Sequence, residues 1–467
     1  MPNVKPIELD GSTLEGGGQL VRVAISLSAI TGIPVHIYNI RANRAPQGKS
    51  KHGNKSQSRR GRDTGSIGGG VSKSEGGLKE SHLAAVLYLA RICNAWVERA
   101  EVGSRDITFV PDTAQDRREN VKAAKDNALV DFETDTIELR NPGSVWLILQ
   151  AILPFLVFGK LVTLTSTAGG ERVSTSAITT GHVPNEDTVV RLILKGGTNV
   201  SKSMSGEYAR HVLLPTLRRI GLPLIECEIE GRGWAGNASK IGEVHVRLRR
   251  LPGNGFTLPS FEVRDRGNVE RITVYMVMGD EYQEGFKQTL KGVIVEHFAS
   301  DLTLEVTKAE ESGDPRRLYL LLVAHTTNGW RLGQDFLSSG RLLKNEAERR
   351  KLIEHACQTV VRGLKSELNR GGCVDEYLQD QLVIFQALSS GTSVVDGGEW
   401  GARQSHEEHE YGDAEGSLHT RTVRWVCEKM LQKQGLEFEP GGKCRGIGWN
   451  SSSDGLATKR LEALSMQ

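Results

Sequence analysis

The sequence predicts an α/β fold of the α+β kind, assembled from repeated βαβ-type modules. Three observations predict it. Segments with helical spacing of apolar residues alternate with short runs rich in Val, Ile and Thr along most of the 467 residues. The helix-then-strand alternation returns at similar length, which points to internal repetition carried by pattern rather than by identity. Hydrophobic residues are 38% and charged residues 25% of the chain, a balance that supports packed cores and excludes wholesale disorder.

Residues 5–10 read as a short strand. Gly16, Gly17 and Gly18 then precede a helix over about 19–31, whose apolar positions Leu20, Val23, Ala24 and Leu27 keep helical spacing. Gln19, Arg22 and Ser26 fall on another face of it. A strand follows at 34–41, a helix at 78–95 and strands near 97–110, completing one unit. The pattern returns with a helix at 144–158, a strand at 161–167, a helix at 207–221 and a strand at 223–230. Further helices are expected at 376–390 and 417–435.

Three segments break the rhythm. Residues 47–77 are Gly/Ser-rich and basic, with seven Lys/Arg against two acids and no apolar face to bury, so a disordered insertion is expected. Residues 170–190 are a second insertion rich in Thr, Ser and Gly. Residues 263–371 read as a smaller inserted α/β domain: a strand, a helix at 282–298, strands at 302–307 and 317–326, and a long helix at 345–369. The organisation is therefore 1–262 as the first part of the core, 263–371 as the insert, and 372–467 as the last part.

Net charge is only +2, so partner choice must rest on local charge. Residues 145–164 imitate a membrane span, but Gln150, Pro154 and the Gly159-Lys160 pair interrupt it; a buried helix followed by a strand accounts for it, and no membrane is expected as a partner. The six cysteines are scattered without C-x-x-C spacing, which argues against zinc and against a disulfide framework and suits a reducing compartment. Residues 1–18 hold no apolar core, so secretion is not expected. The basic stretch at 49–62 suits a nuclear address or a solvated RNA-facing loop, giving a nuclear (nucleoplasmic) or cytoplasmic expectation.

The first candidate site is Glu15-Gly16-Gly17-Gly18-Gln19-Leu20-Val21-Arg22. Glycines permit close backbone approach, and a helix N-terminus offers N–H groups and partial positive charge suited to phosphate. A carboxylate at Glu15 is a ligand type for a divalent cation, and Arg22 has the planar fork that grips phosphate. The plain alternative is a glycine turn with solvated charges. Arg41 and Arg44 follow the next strand, where both can face one anion. The Gly48-Lys49-Ser50 triplet is not a phosphate loop of the Walker type, because position 43 is Asn and no helix pattern follows. The His/Glu cluster at 406–410 has histidines at i and i+3 and no helical pattern, so it reads as a solvated acidic loop, a weak metal site being the alternative.

His419 stands apart. Ser417 is a good N-cap, and Val423, Val426, Cys427, Met430 and Leu431 define a helix that starts there. His419 then lies in the first turn, where the helix dipole is expected to keep the imidazole neutral and nucleophilic. A neutral imidazole attacking phosphorus gives a covalent phosphoramidate. An ordinary capping or surface histidine is the bland reading.

The stretches "LDGSTLEGGGQLVRVAISLSAITG", "IRANR", "GGLKESHLAA", "NPGSVWLILQAILP", "GGTN", "DRGN", "EYLQDQL" and "GSLHT" together resemble the RNA 3′-terminal phosphate cyclase family, and a eukaryotic, fungal-type member with insertions. The resemblance implies modules like the C-terminal domain of translation initiation factor 3. It also implies ATP and Mg²⁺ or Mn²⁺ as cofactors, and an RNA with a 3′-terminal phosphate as partner. The implied reaction passes AMP from ATP to His419, then to the RNA 3′-phosphate, whose 2′-hydroxyl closes a 2′,3′-cyclic phosphate and releases AMP. Glu15 is implied as metal ligand. Gln19, Arg22, Arg41 and Arg44 are implied around phosphates. Gln150 and Tyr377, Leu378, Gln379, Asp380 and Gln381 are implied at the nucleotide, with Tyr377 stacking on adenine.

The sequence departs from the family in places. Ser81 stands where a glutamine precedes the histidine, residues 199–206 lack the expected proline, residues 235–243 lack the later glycine-rich turn, and Thr422-Val423 replaces a Thr-Asn pair. The rival reading is a non-catalytic cyclase-like RNA-binding protein of ribosome assembly and rRNA processing. That branch lacks the adenylylation histidine, whereas His419, Glu15, Arg22 and Asp380 are all present here.

Overall fold

The computed structural model describes residues 5–42, 76–111, 129–131, 134–159, 165–168, 171–174, 188–235, 240–250, 256–298, 302–307, 309–338, 340–400 and 416–450. Its first sheet holds β1 (Ile7–Asp10), β2 (Val35–Tyr38), β3 (Trp96–Glu98) and β4 (Ile107–Val110) in the order β1-β2-β4-β3. β1 and β2 run parallel, and β4 is antiparallel to both neighbours. A parallel pair needs a crossover, supplied by α1 (Gly18–Thr31), while α2 (Glu80–Ile92) leads into β3.

The second sheet repeats this plan. It contains β5 (Val130–Asp131), β6 (Thr136–Glu138), β9 (Thr188–Gly196), β10 (Ile225–Gly231) and β11 (Gly242–Arg250), with β6 and β9 parallel and β11 between β9 and β10. α3 (Val145–Phe158) lies in the β6-to-β9 crossover, as does a two-stranded hairpin of β7 (Thr165–Ala168) and β8 (Glu171–Ser174). α4, spanning 206–219 with a wider π-type stretch at Ala209–Leu213, leads into β10.

β12 (Glu262–Val263) opens the third sheet, and the chain then leaves it. It forms β13 (Val269–Val277), α5 (Asp280–His297), β14 (Thr303–Val306), β15 (Tyr319–Thr326), β16 (Arg331–Leu337) and α6 (Glu346–Asn369), with strand order β14-β13-β15-β16. On return, α7 (Glu376–Leu388), β17 (Ser390–Val395), α8 (Leu418–Leu431), β18 (Glu437–Glu439) and β19 (Lys443–Ile447) complete the order β12-β17-β19-β18. β12 and β17 are parallel and β19 is antiparallel to its neighbours. Three sheets thus share one connectivity, with the crossover helices α1, α3 and α7 in equivalent places.

The main core is shared by these helices. Leu20, Trp146, Leu378 and Val426, from α1, α3, α7 and α8, belong to one cluster of buried residues. Every residue of α1 from Gln19 to Thr31 is buried, so the polar face of Gln19, Arg22 and Ser26 looks into the protein and not into water. Among the described residues no helix is long and apolar enough to cross a membrane, and Pro154 sits inside α3. All six cysteines are buried. A second cluster, with Ile272, Phe286, Leu322 and Val360, belongs to the β13–β16 sheet and its helices. Alternate residues of β15 serve both clusters: Leu320 and Leu322 face the second, Tyr319, Leu321 and Val323 the main core. Burial on two faces explains the unbroken apolar run there.

Several expectations need correction. The second insertion at 170–190 contains β8, and β9 opens near its end at Thr188. β5, β6, β8, β9, β11, β16, β17, β18 and β19 answer to no strand expected from the sequence. The expected helix at 417–435 stops at Leu431 and tightens into a 3₁₀ turn, Gln432–Gln434. Residues 43–75, which include Arg44 and most of the basic 47–77 segment, and the cluster at 406–410 lie outside the described residues.

Candidate active site

The candidate site forms where the starts of α1, α7 and α8 meet. Ser417 caps α8 by accepting from the backbone N–H of Thr420 at 3.3 Å, and His419 is the second residue of the helix. Glu15 lies just before α1. Its backbone N–H donates to Thr422 Oγ1 at 3.2 Å, which pins the glycine loop to α8 across 407 positions. Its carboxylate Oε2 then stands 3.5 Å from His419 Nδ1. The half-exposed ring faces outward while the carboxylate is only 9% exposed.

Glu15 reverses one expectation. The helix start alone favours a neutral imidazole, but the Glu15 carboxylate at Nδ1 raises the His419 pKa above its ordinary value, more than burial lowers it; Asp380 adds to the rise and Arg22 opposes it. A specific carboxylate outweighs the diffuse dipole of a helix end.

Gln19, Arg22 and Asp380 form a second, buried layer. Gln19 Nε2 donates to Asp380 Oδ2 at 2.6 Å, and Arg22 Nη2 donates to Gln19 Oε1 at 2.7 Å. Gln381 Nε2 donates to the other Asp380 oxygen at 2.8 Å. Burial pushes the Asp380 carboxyl up to about 6, against these hydrogen bonds and the nearby His419 and Arg22 charges. Gln379 Oε1 accepts from Thr420 Oγ1 at 3.4 Å, tying α7 to the first turn of α8.

The other expected residues are spread around this layer. Arg41 has left-handed backbone (φ 56°) and its Nη1 donates to Gly77 O at 3.3 Å. Gln150 sits on α3 with its Oε1 buried and lacking a hydrogen-bond partner among the described residues. Tyr377 is 47% exposed and meets Tyr208 edge-on at 6.2 Å between ring centroids. Leu378 is fully buried in the core and offers no side-chain surface to a ligand.

The donor set suits a polyphosphate and one divalent cation. The α1 N-cap is Gly17, without a side-chain cap, and no acid occupies the first turn. A Cβ at Gly17 would fall 2.1 Å from the Glu15 carboxylate, and Gly16 needs its φ of 57°, so glycine lets this carboxylate fold against the helix start. A single protein carboxylate matches how Mg²⁺ is commonly held with substrate phosphates. Among the described residues no cluster of three His, Cys, Asp or Glu suits a metal held by protein alone.

A family profile for RNA 3′-terminal phosphate cyclase matches residues 13–55 and 70–435, from the glycine loop through His419. The chain belongs to the RNA 3′-terminal phosphate cyclase family. It is 29% identical over 432 residues to the RNA 3′-terminal phosphate cyclase of Pyrococcus furiosus, covering 91% of this chain and 94% of the relative. Against the cyclase of Saccharolobus solfataricus it is 26% identical, covering 94% and 97%; against that of Desulfurococcus amylolyticus it is 28% identical, covering 83% and 86%.

Two residues of this cyclase-family site stand in the sequence only inside family motifs, with no contact to read from them. Thr422 was seen only as a departure, yet it receives the Glu15 amide. His82 is 3% exposed, and its Nε2 lies 3.4 Å from Arg22 Nη1. A histidine among Leu83, Ala84 and Ala85 reads as a core residue, and nothing local announces an arginine sixty positions away.

Proposed function

We propose that the chain converts an RNA 3′-terminal phosphate to a 2′,3′-cyclic phosphate at the expense of ATP, with His419 as nucleophile. The Glu15–His419 pair carries this reading. Glu15 faces Nδ1 and holds its proton, which leaves the Nε2 lone pair for attack, as a carboxylate orients histidine in other nucleophilic sites. Nε2 bonds to the α-phosphorus of ATP as the bond to pyrophosphate breaks. An oxygen of the RNA 3′-phosphate then takes the AMP group from nitrogen. The 2′-hydroxyl attacks the activated 3′-phosphorus, and AMP leaves.

Arg22, Arg41 and Arg44 are the phosphate-binding cations of this reading, and Gln19 orients Arg22. Gln150, Gln379 and Gln381 supply polar edges near the nucleotide, Asp380 anchors the layer, and Tyr377 stacks on adenine. Glu15 would also hold Mg²⁺ or Mn²⁺, which offsets triphosphate charge.

Incubation with α-labelled ATP and a divalent metal tests the reading. Wild-type protein takes up acid-labile, alkali-stable label; His419→Ala and His419→Asn take up none while staying folded. RNA with a 3′-phosphate discharges the label as AMP, and 3′-hydroxyl RNA does not. Wild-type protein that binds RNA and never labels would place the chain with the non-catalytic RNA-binding alternative.

A further inference from the structure

On the β13–β16 sheet, the face that packs on the main core ends in a polar row that no role assigned so far uses. Arg271 on β13, His325 on β15 and Arg331 on β16 are direct cross-strand partners, Arg271 with His325 and His325 with Arg331. Direct partners point to the same side of a sheet, so two guanidinium groups flank one imidazole. His325 Nε2 lies 3.0 Å from Thr273 Oγ1, and that hydroxyl donates to Glu305 Oε2 at 3.4 Å. Its one hydrogen goes to Glu305, so it accepts from Nε2. Burial, with Arg331 and Arg271 on either side, holds the His325 pKa down to about 4. The ring is neutral, and the row carries two positive charges.

α4 adds a third cation beside this row. Its π-type stretch, Ala209–Leu213, contains Arg210 and His211. The His211 ring stacks on Tyr275 with 3.7 Å between centroids, and its backbone carbonyl accepts from Arg331 Nη1 at 3.0 Å. Among the described residues neither the exposed Arg210 nor the half-buried Arg331 forms an ion pair. The nearby acids are engaged elsewhere, Glu305 with Arg271 at 3.4 Å and Glu310 with Arg232. Like charges gathered this way are unfavourable until an anion arrives.

Position and spacing select the anion. Arg271 and Arg331 are two strands apart, about 10 Å between their backbones. With Arg210 added, that spread suits successive phosphates of one strand better than a lone anion. Tyr208, three positions before His211, meets Tyr377 edge-on, so the cluster begins about one helical turn from the edge of the nucleotide site. The chain's net charge of +2 gives little general attraction to nucleic acid, so RNA has to be held by local clusters.

We infer that Arg210, Arg271 and Arg331 bind the phosphodiester backbone of single-stranded RNA upstream of its 3′-terminal phosphate, without reading the bases. The inference deepens the cyclase reading by giving the RNA a path outside the catalytic pocket, and rests on that reading for RNA as the partner.

Two measurements on the full chain test it. In the first, a long fluorescent 3′-phosphorylated single-stranded RNA of mixed sequence is titrated at several salt concentrations. Arg210→Gln, Arg271→Gln and Arg331→Gln should each weaken binding several-fold and lower the slope of log affinity against log salt by about 0.7, the loss of one phosphate contact. Arg331→Lys keeps the charge and should keep the slope. Arg210→Gln should melt with wild type, since the side chain is exposed. In the second, protein labelled by ATP is discharged by the long RNA and by a dinucleotide with a 3′-phosphate. The double variant Arg210→Gln, Arg271→Gln should need about tenfold more of the long RNA for half-maximal discharge, and as much dinucleotide as wild type. Unchanged slopes in all three variants, with discharge intact, would overturn the inference and leave the cyclase reading standing. Equal losses with the long RNA and the dinucleotide would also overturn it, because the arginines would then act in the catalytic pocket. Variants that bind RNA as wild type does but change oligomeric state would overturn it and give the face to a second copy of the chain. Lowered slopes in a protein that ATP never labels would keep the RNA surface and remove the cyclase reading.

Discussion

Gln19 and Asp380 are 361 positions apart in sequence and are joined by a 2.6 Å hydrogen bond from Nε2 to Oδ2, inside the protein. The bond fastens α1 to α7 and so links the glycine loop of the first module to the last third of the chain. Arg22 is held through the same glutamine, so a carboxylate at 380 sets where the Arg22 guanidinium points.

Asp380→Ala should therefore slow labelling by ATP and cost about 1–3 kcal/mol of stability, because Gln19 and Gln381 lose a buried acceptor. The pH dependence has a definite sign. Asp380 is raised to about 6 in the folded protein, against about 3.9 unfolded. A raised carboxyl contributes stability that is present below about 4 and lost as pH climbs through about 6. Asp380→Asn removes that titration, so its melting temperature should gain on wild type between those values. A difference that stays flat across this window would remove the buried, ionising carboxyl from the account.

His419 gives a second pH prediction. Glu15 raises its pKa, and only the unprotonated ring attacks phosphorus. Labelling by ATP should rise with pH through this raised value. Glu15→Gln removes the charge and should move the titration of His419 down toward its ordinary value while lowering the labelling rate. Histidine resonances followed against pH in the two proteins check it. A midpoint that does not move would mean that Glu15 does not govern the ring.

Arg232 tests the packing of the β13–β16 sheet on the core. It is 9% exposed, is paired with the buried Glu207 and with Glu310, and donates to Asn199 Oδ1 at 3.4 Å. Arg232→Met leaves Glu207 buried without its cation, and should cost about 3–5 kcal/mol by chemical denaturation. The double variant Arg232→Met, Glu207→Gln should recover part of that loss, since the stranded charge is gone. Equal stability of the two variants would show the pair to be weakly coupled.

Local pattern revealed the helices well. Leu20, Val23, Ala24 and Leu27 placed α1, and all are buried; Ser417 and the Val423-to-Leu431 stripe placed α8 and its cap. The strands were harder. In β9, Val190, Leu192 and Leu194 alternate inward as a strand should, but they follow a polar stretch that hid where the strand begins. β17 and β19 pair Ser393 with Cys444 in short segments with little apolar signal of their own. The site was legible as residue types and not as contacts. A helical period says that Gln19 and Arg22 share a face; it cannot say that the face is buried, or that Asp380 and His82 wait there. The direction in which the His419 pKa moves was hidden for the same reason, since Glu15 arrives from the far end of the chain.

Arg41 supplies the last prediction. It follows β2 in a left-handed conformation and donates to Gly77 O at 3.3 Å, just ahead of α2. The bond to this carbonyl helps set the direction of the guanidinium. Arg41→Ala should slow labelling by ATP by about 10–1,000-fold, the loss of a charge-assisted contact worth roughly 1.5–4 kcal/mol in a closed site. The fold should hold, because the side chain is only partly buried. Arg41→Lys should recover activity in part: it restores the charge but not the fork that can bind Gly77 and a phosphate together. Arg44→Ala, in the segment just beyond, should show a loss of the same order if the two arginines share one anion. Full activity in both alanine variants would move the phosphate site away from this strand end.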